Sequence, residues 1–303
     1  MKIYDLIIIG AGPAGITASV YAARKQLDFL VISLDVGGQA AWSGDIENYT
    51  GYQFISGPEL AQKFEEHMRK YRTELKENEE LLELEKSGQI IRLKTNKADY
   101  QARSVIIASG KKSRELAVAG EKEFKNRGLT YCATCDGPLF TGKEVAVIGG
   151  GNSALDAALQ LTRIAKYVYI VNNASSLSGD IIMRRKIEEA GNVKILNNTC
   201  VLAVSGDKFV KSIKIKNVDQ ENELAVQGVF VEIGLVPNSV FAKGVKKNSK
   251  NEIIVDAYNQ TNIPGVFAAG DVTDVPEKQI IIAAGEGAKA VLSVFHYLSK
   301  SNF

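Results

Sequence analysis

The sequence predicts an α/β protein with two parallel-sheet units built alike. A short apolar strand, a glycine-rich turn and a helix follow one another at the N-terminus, and the same succession recurs with its first glycine at position 149. A chain of 303 residues, 45% of them hydrophobic, is also long enough for two separate cores. Lys and Arg number 37 against 35 Asp and Glu, so no electrostatic case exists for nucleic acid or an anionic membrane as partner. Ordinary apolar content with balanced charge excludes disorder as the dominant state.

The first unit opens with Ile3 to Ile9, a nearly continuous apolar run suited to a parallel strand buried on both faces. Gly10-Ala11-Gly12-Pro13-Ala14-Gly15 follows, then a helix-compatible stretch from Ile16 to Lys25 and a second strand from Phe29 to Ser33. Pro13 suits a first helical turn, where no backbone N–H is required. In G-x-G-x-x-G the first two glycines allow a tight turn and bring backbone N–H groups up to a pyrophosphate. The third lets helix and strand pack closely, and the helix N-terminus adds partial positive charge. The unit thus has the form of a Rossmann-like, dinucleotide-binding turn. The uncharged run from Leu6 to Ala23 is as long as a short membrane span, but its glycines and Pro13 would break the helix and Asp5 spoils a basic signal flank. No other stretch reads as a span, and the expectation is a soluble, cytoplasmic protein.

Glu59 to Tyr71 reads as an amphipathic helix with Leu60, Phe64, Met68 and Tyr71 as its core stripe. The charge run from Arg72 to Lys86 reads as solvated surface, Ile90 to Leu93 and Val105 to Ala108 as strands, and Lys111 to Arg127 as a linker or hinge. The second unit repeats the first: strand Val145 to Ile148, turn Gly149-Gly150-Gly151-Asn152-Ser153-Ala154, helix Ala154 to Arg163, strand Tyr167 to Val171. One such turn is weak evidence; two, each between strand and helix, predict two dinucleotide sites. A short charged helix at Ile182 to Ala190, strand candidates between Val193 and Val231, and a turn cluster at Gly234 to Asn238 come next. Strands at Ile253 to Val255 and Gly265 to Ala268 and a long helix from Gln279 to Tyr297 close the chain.

Three cysteines cannot build a secreted disulfide framework. Cys132 and Cys135 form C-x-x-C. A structural zinc would want two more ligands, and His67 and His296 lack the spacing, so no metal site is expected and an intracellular redox pair is the better reading. Cys200, in a strand-like stretch, reads as a small apolar residue. Trp42, His67 and His296 belong to no motif and read as packing or surface groups. Two dinucleotide sites and a redox pair outline one electron path: a nicotinamide donates hydride, a flavin accepts it, and the reduced flavin opens a disulfide that exchanges with a partner's. Asp136, directly after Cys135, is placed to shuttle a proton, with helix capping or solvation as the bland alternative. A flavin-binding redox sensor without catalysis would have no need of the dithiol.

Cys132-Ala133-Thr134-Cys135-Asp136-Gly137, just before the second glycine turn, resembles the active site of low-molecular-weight thioredoxin reductases. Along the whole chain Gly10 to Gly15, Gly37-Gly38-Gln39, Glu47-Asn48-Tyr49, Gly149 to Ala154, Ile233-Gly234-x-x-Pro237-Asn238 and Ala268-Ala269-Gly270-Asp271 stand in that family's order. The chain is similar also to the reductase half of the alkyl hydroperoxide reductase flavoprotein subunit, through Gly137-Pro138-Leu139-Phe140 and Val275-Pro276-x-Lys278-Gln279-Ile280. It begins directly with the first strand, so a free-standing reductase acting on a separate redoxin is the expectation. The resemblance implies a discontinuous FAD domain, 1–112 and 243–303, with a pyridine-nucleotide domain, 113–242, inserted in it. It implies that FAD meets Gly10, Gly12, Pro13, Ala14, Gly15, Gly37, Gly38, Gln39, Asn48, Gly270, Asp271, Gln279 and Ile280. Cys135 is implied to face the flavin and Cys132 to attack thioredoxin or a similar redoxin. Homodimers whose nucleotide domain swings between two orientations are implied as well.

At the nucleotide end the chain departs from the pattern. NADPH-dependent members carry His-Arg-Arg after the strand that follows the second turn, and a further Arg beyond; here those positions are Asn172, Asn173, Ala174 and Ser178. The guanidinium groups that suit a 2′-phosphate are gone. No carboxylate stands at Asn172 or Asn173 to take a ribose hydroxyl either. NADH is expected ahead of NADPH, held by Gly149, Gly151, Asn152, Ser153, Ala154 and Asn172. A ferredoxin-linked enzyme without nucleotide is the alternative, as is the reductase component of a peroxide-reducing system. Arg184 and Arg185 read as a solvated helix face.

Overall fold

The computed structural model describes residues 2–43, 45–218 and 220–300. Residues 1 and 301–303, the outer ends of the expected FAD domain, lie outside the described residues. The chain forms two compact units: Met1–Lys112 with Val236–Phe303, and Ser113–Leu235.

The first unit begins with β1 (Ile3–Ala11), α1 (Pro13–Arg24), β2 (Phe29–Val36) and α2 (Gly57–Arg69). It continues with β3 (Leu75–Lys76), β4 (Leu81–Ser87), β5 (Ile90–Thr95) and β6 (Asp99–Ile107). The sheet order is β3-β2-β1-β6-β5-β4. β1 lies parallel between β2 and β6, with Ile7 opposite both Leu30 and Val105. Ile7 and Ile9 enter one core beside Leu30, Ile91 and Leu93, whereas Leu6 and Ile8 enter another beside Val31, Met68 and Phe267. Both faces of β1 are buried, which is why it is apolar at every inner position.

The stretch from Arg72 to Lys86 is not wholly solvated surface. β4 pairs antiparallel with β5, and Leu81 and Leu84 face the core while Leu82 and Glu83 between them stay outside. Two inward leucines among so many charged neighbours are too few to show a period of two by composition.

The second unit contains β7 (Leu129–Thr130), α3 (Ala133–Asp136), β8 (Glu144–Ile148), α4 (Asn152–Thr162), β9 (Tyr167–Val171), α5 (Ile181–Glu188) and β10 (Val193–Leu196). β11 (Thr199–Gly206), β12 (Val210–Asn217), β13 (Gln220–Ala225) and β14 (Gly228–Val231) complete it. One sheet is parallel, in the order β7-β14-β8-β9-β10; β11-β12-β13 is a separate antiparallel sheet. Cys200, expected as a small apolar residue, is exposed on β11 and lies 3.7 Å from the Lys216 carbonyl oxygen. The boundary between the two units, Lys112/Ser113, falls inside the expected linker from Lys111 to Arg127, and only Glu121 and Phe124 of that stretch are buried. The Glu121 carboxylate, only 3% exposed, accepts the N–H groups of Leu116 and Ala117 at 2.6 Å each and the Tyr131 hydroxyl at 2.7 Å. Burial and this carboxylate push the Tyr131 phenol upward. A buried charge that is fully bonded can order a loop that composition alone reads as flexible.

The chain returns to the first unit from Val236, earlier than the 243 read from the sequence. Asn238 donates to the Gly110 carbonyl at 3.0 Å, the Ser109 hydroxyl donates to the Asn238 carbonyl at 2.6 Å, and Ala242 is a core residue of that unit. The stretch Ile253 to Val255, expected as a strand, supplies only isolated bridges from Ile253 to Lys247 and Thr273. β15 (Val266–Ala268) then pairs in parallel with β6, and α6 (Ile280–Lys300) follows. By length and composition α6 could cross a membrane, contrary to the expectation that no further stretch qualifies. Ala283, Ala284, Gly287, Ala290, Val291 and Val294 are buried along it, so one face of α6 serves the core of its unit.

Candidate active site

At the first glycine turn, backbone geometry replaces side-chain chemistry. Gly10 has φ +104°, and a Cβ there would lie 2.3 Å from the Ala108 carbonyl oxygen. A Cβ at Gly15 would lie 1.8 Å from the Gly10 carbonyl oxygen, because α1 is pressed onto the turn. Gly12 differs: it caps α1 without a side-chain hydrogen bond, Pro13 takes the first helical turn, and the nearest atom to a Cβ there is Gly38 Cα at 4.0 Å. Gly10 and Gly15 are thus glycines for packing, whereas Gly12 leaves a helix N-terminus open. Two groups overlooked in the sequence hold this turn. The Ser33 hydroxyl accepts the Ala11 N–H at 3.0 Å, and Gly287 of α6 lets its helix cross so closely that a Cβ would sit 2.0 Å from the Ala14 carbonyl oxygen. Gly37 N–H donates to the Ala11 carbonyl at 2.8 Å, bringing the Gly37-Gly38-Gln39 turn beside it. The open helix end and the facing glycines fit a pyrophosphate.

The remaining FAD candidates meet in the same unit. Gly270 and Asp271 follow β15, and the Asn48 amide donates to Gln279 Oε1 at 3.0 Å just ahead of Ile280. Burial raises the Asp271 carboxyl, with the Lys278 and Lys111 charges opposing. Glu252 accepts from Lys111 at 3.0 Å and lies 3.5 Å from Lys278. Burial alone would raise Glu252, but hydrogen bonds from Asn248 and Lys111 and the Lys278 charge prevail and hold it at about 2. Lys111 and Glu252 carry no signal in the sequence; Lys278 lies inside a family motif that gives it no role.

In the second unit Gly149 has φ +137°, and a Cβ on it would stand 2.1 Å from the Glu232 carbonyl oxygen. Gly151 precedes α4 with no side-chain cap, Ser153 is exposed and Ala154 is fully buried. Asn152 and Asn172 both bond to their own chain, Asn172 on both sides of its amide and Asn152 through its oxygen. Asn152 Oδ1 accepts the Asp180 N–H at 2.7 Å. The Asn172 amide, 3% exposed, donates to the Ala174 carbonyl and Asn197 Oδ1 and accepts the Ala174 N–H. Arg184 departs from its expected solvated face: Nη1 donates to the Leu177 carbonyl at 3.5 Å and Nε is buried.

Cys132 and Cys135 are joined in a disulfide. Cys132 caps the one-turn helix α3, Cys135 lies within it, and Cys132 Sγ accepts the Cys135 N–H at 3.1 Å. Cys135 is exposed and Cys132 half-buried. Asp136 Oδ2 accepts the Thr130 hydroxyl, and that hydroxyl oxygen also accepts the Cys132 N–H at 3.2 Å. A carboxylate and a hydroxyl therefore stand in one chain of bonds leading to the first cysteine. The Thr134 hydroxyl, between the cysteines, donates to Gln160 Oε1 at 2.8 Å, and Gln160 Nε2 donates to Asp156 Oδ2 at 3.0 Å. Near Asp156, burial and that neighbouring carboxylate push Glu232 up to about 8. A carboxyl raised on folding costs stability as pH climbs from its unfolded value near 4.5 through about 8. Glu232→Gln should therefore flatten the decline of urea stability across that window; an unchanged slope would contradict it. Among the described residues, no group of three or more His, Cys, Asp or Glu could hold a metal ion.

The family "Pyridine nucleotide-disulphide oxidoreductase" matches residues 4–287. An alkyl hydroperoxide reductase subunit of Pseudomonas putida is 43% identical over 307 aligned positions, which cover 99% of this chain and 59% of that protein. A Bacillus subtilis protein named NADH dehydrogenase is 40% identical, covering 98% of this chain and 59% of its own. The chain thus spans about three-fifths of the curated relatives it matches. Among solved structures, Lactococcus lactis thioredoxin reductase superposes with a TM-score of 0.93 at 35% identity, covering 98% of this chain and 100% of its own.

Proposed function

From the premise that this chain belongs to the pyridine nucleotide-disulphide oxidoreductase family, and is a disulfide oxidoreductase that binds FAD, we propose that it is a thioredoxin-disulfide reductase. The observation that carries this reading is the Cys132–Cys135 disulfide, set on a one-turn helix in the unit that also holds the second glycine turn.

FAD, when bound, supplies a carrier that takes an electron pair from a donor and passes it to a disulfide. In this reading Gly12, Pro13, Gly38 and the α1 N-terminus hold its pyrophosphate, with Gln39, Asn48, Asp271, Gln279 and Ile280 about the rest. The chain's own thiols do the exchange. The Cys132 thiolate attacks the redoxin disulfide, forming a mixed disulfide and releasing one redoxin thiolate. Cys135 then attacks Cys132 Sγ, which restores the internal disulfide and releases the second. The redoxin gains two electrons and two protons, and Asp136, bonded to Thr130 beside Cys132, is placed to handle a proton. A homodimer and a cytoplasmic location belong to the same reading.

The donor in this reading is NADH rather than NADPH. Asn172, Asn173, Ala174 and Ser178 offer no guanidinium to a 2′-phosphate, and Asn172 is turned inward. Two lost charge-assisted bonds at about 1.5–3 kcal/mol each remove the basis for NADPH preference. Anaerobic bleaching of the flavin and steady-state turnover with thioredoxin should both show kcat/KM for NADH at least equal to that for NADPH. A strong NADPH preference, or bleaching by reduced ferredoxin alone, would reverse the assignment. Supply of a peroxide-reducing system is a second reading, favoured by the match to the alkyl hydroperoxide reductase relative across 99% of the chain. Turnover with thioredoxin against turnover with the redox-carrier domain of such a system separates the two.

A further inference from the structure

The ion cluster of Lys111, Glu252 and Lys278 lies outside the machinery above, yet it is tied to Gln39 and to the loop from Gly270 to Gln279, both assigned to FAD. Lys111 follows the strand end at β6, and its carbonyl accepts the Gln39 side-chain amide at 3.2 Å. Lys278 directly precedes Gln279, and its ammonium donates to the Thr273 carbonyl at 2.5 Å, closing the loop that begins at Gly270-Asp271. Thr273 is fully buried and its hydroxyl donates back to the Gly270 carbonyl at 2.7 Å. Both ammonium groups converge on Glu252, a residue only 7% exposed. The two lysine side chains are 13% and 23% exposed. Lys111 follows the carboxyl end of β6, and the loop from Gly270 to Thr273 bonded by Lys278 follows that of β15, the edge at which open α/β sheets bind ligands.

Stability alone is a weak reason for such a cluster, because two lysines on one carboxylate undergo desolvation that apolar residues of similar volume would avoid. The arrangement instead fixes a set of charges in a poorly solvated place where they act over several ångströms. We propose that Lys111 and Lys278 are positioning residues that set the reduction potential of the flavin, and that Glu252 holds them in place and offsets their charge. This rests on the reading that the first unit holds FAD. An ammonium group within reach favours the electron-rich reduced ring, and a carboxylate disfavours it.

The test is the flavin midpoint potential, measured against a reference dye in holoenzyme carrying Cys132→Ser and Cys135→Ser so that only the flavin titrates. Glu252→Gln should raise the potential and Lys278→Met should lower it. Each shift should be about tenfold in the reduced-to-oxidised ratio, roughly 30 mV for a two-electron couple. Lys278→Arg, which keeps the charge, should stay near the parent. Lys111→Met removes the other positive charge held at Glu252 Oε1 and should also lower the potential, so the sign rests on two positions. A purely structural role would move neutralised lysine and neutralised glutamate in the same direction or not at all, and either result overturns the proposal. A parent protein that takes up no FAD overturns the FAD reading itself, whereas normal yellow variants with unmoved potentials overturn only this inference.

Discussion

Cys132→Ser should lose thioredoxin reduction by on the order of 10³-fold or more, since Cys135, the one other thiol of the described active-site turn, then has no partner with which to close an internal disulfide and release the reduced redoxin. The loss should be confined to one half of the reaction. Flavin bleaching by the nucleotide donor, and turnover with a small artificial electron acceptor, need neither cysteine and should remain within about twofold of the parent. Cys132 Sγ accepts the Cys135 N–H, a bond that a serine hydroxyl can also accept, so the turn should keep its shape. Full redoxin turnover in Cys132→Ser would remove the dithiol from the mechanism.

The second large effect is expected at the first glycine turn, where two glycines of one motif should fail in different ways. Gly15→Ala places a methyl 1.8 Å from the Gly10 carbonyl oxygen, so α1 must move off β1. Overpacking of this kind costs about 1–3 kcal/mol and more where backbone is the obstacle. At roughly 2–4 °C per kcal/mol, Tm should drop by about 5–10 °C and FAD should be lost with the fold. Gly12→Ala meets nothing closer than 4.0 Å. Its Tm without cofactor should hold within about 1 °C, while FAD affinity falls about tenfold or more because the methyl occupies the approach to the open helix end. Absorbance at the flavin band and apoprotein melting, read together, decide it. Equal losses of Tm in both variants would mean that Gly12 too is a packing glycine.

Much of the architecture was legible because it depends on residues adjacent in the chain. β1, its turn and α1 announce themselves through an apolar run, three glycines and a proline in one short stretch, and β8 with its turn repeats the signal. The errors share a cause. β4 is hidden because a register shift sets its inward Leu81 and Leu84 three apart, with exposed Leu82 and Glu83 between, and the bonds near Leu116 because Glu121 is an acidic side chain that faces inward. α6 is legible as a long helix, but Glu286 and Lys289, which pair at 2.9 Å, break its apolar run and mask its likeness to a membrane span. Asn172 was rightly located at the end of β9, but whether its amide faces a ligand or Asn197 is a matter of rotamer and neighbours.

By itself the sequence determined two strand–turn–helix repeats and a cysteine pair, because turn chemistry and burial on both faces leave a local imprint on residue choice. Only the folded chain decided which polar groups are already bonded and which charges converge. Lys111, Glu252 and Lys278 are brought together by sheet edges far apart in sequence, and the sign and strength of an ionic contact depend on burial and distance, neither of which composition encodes.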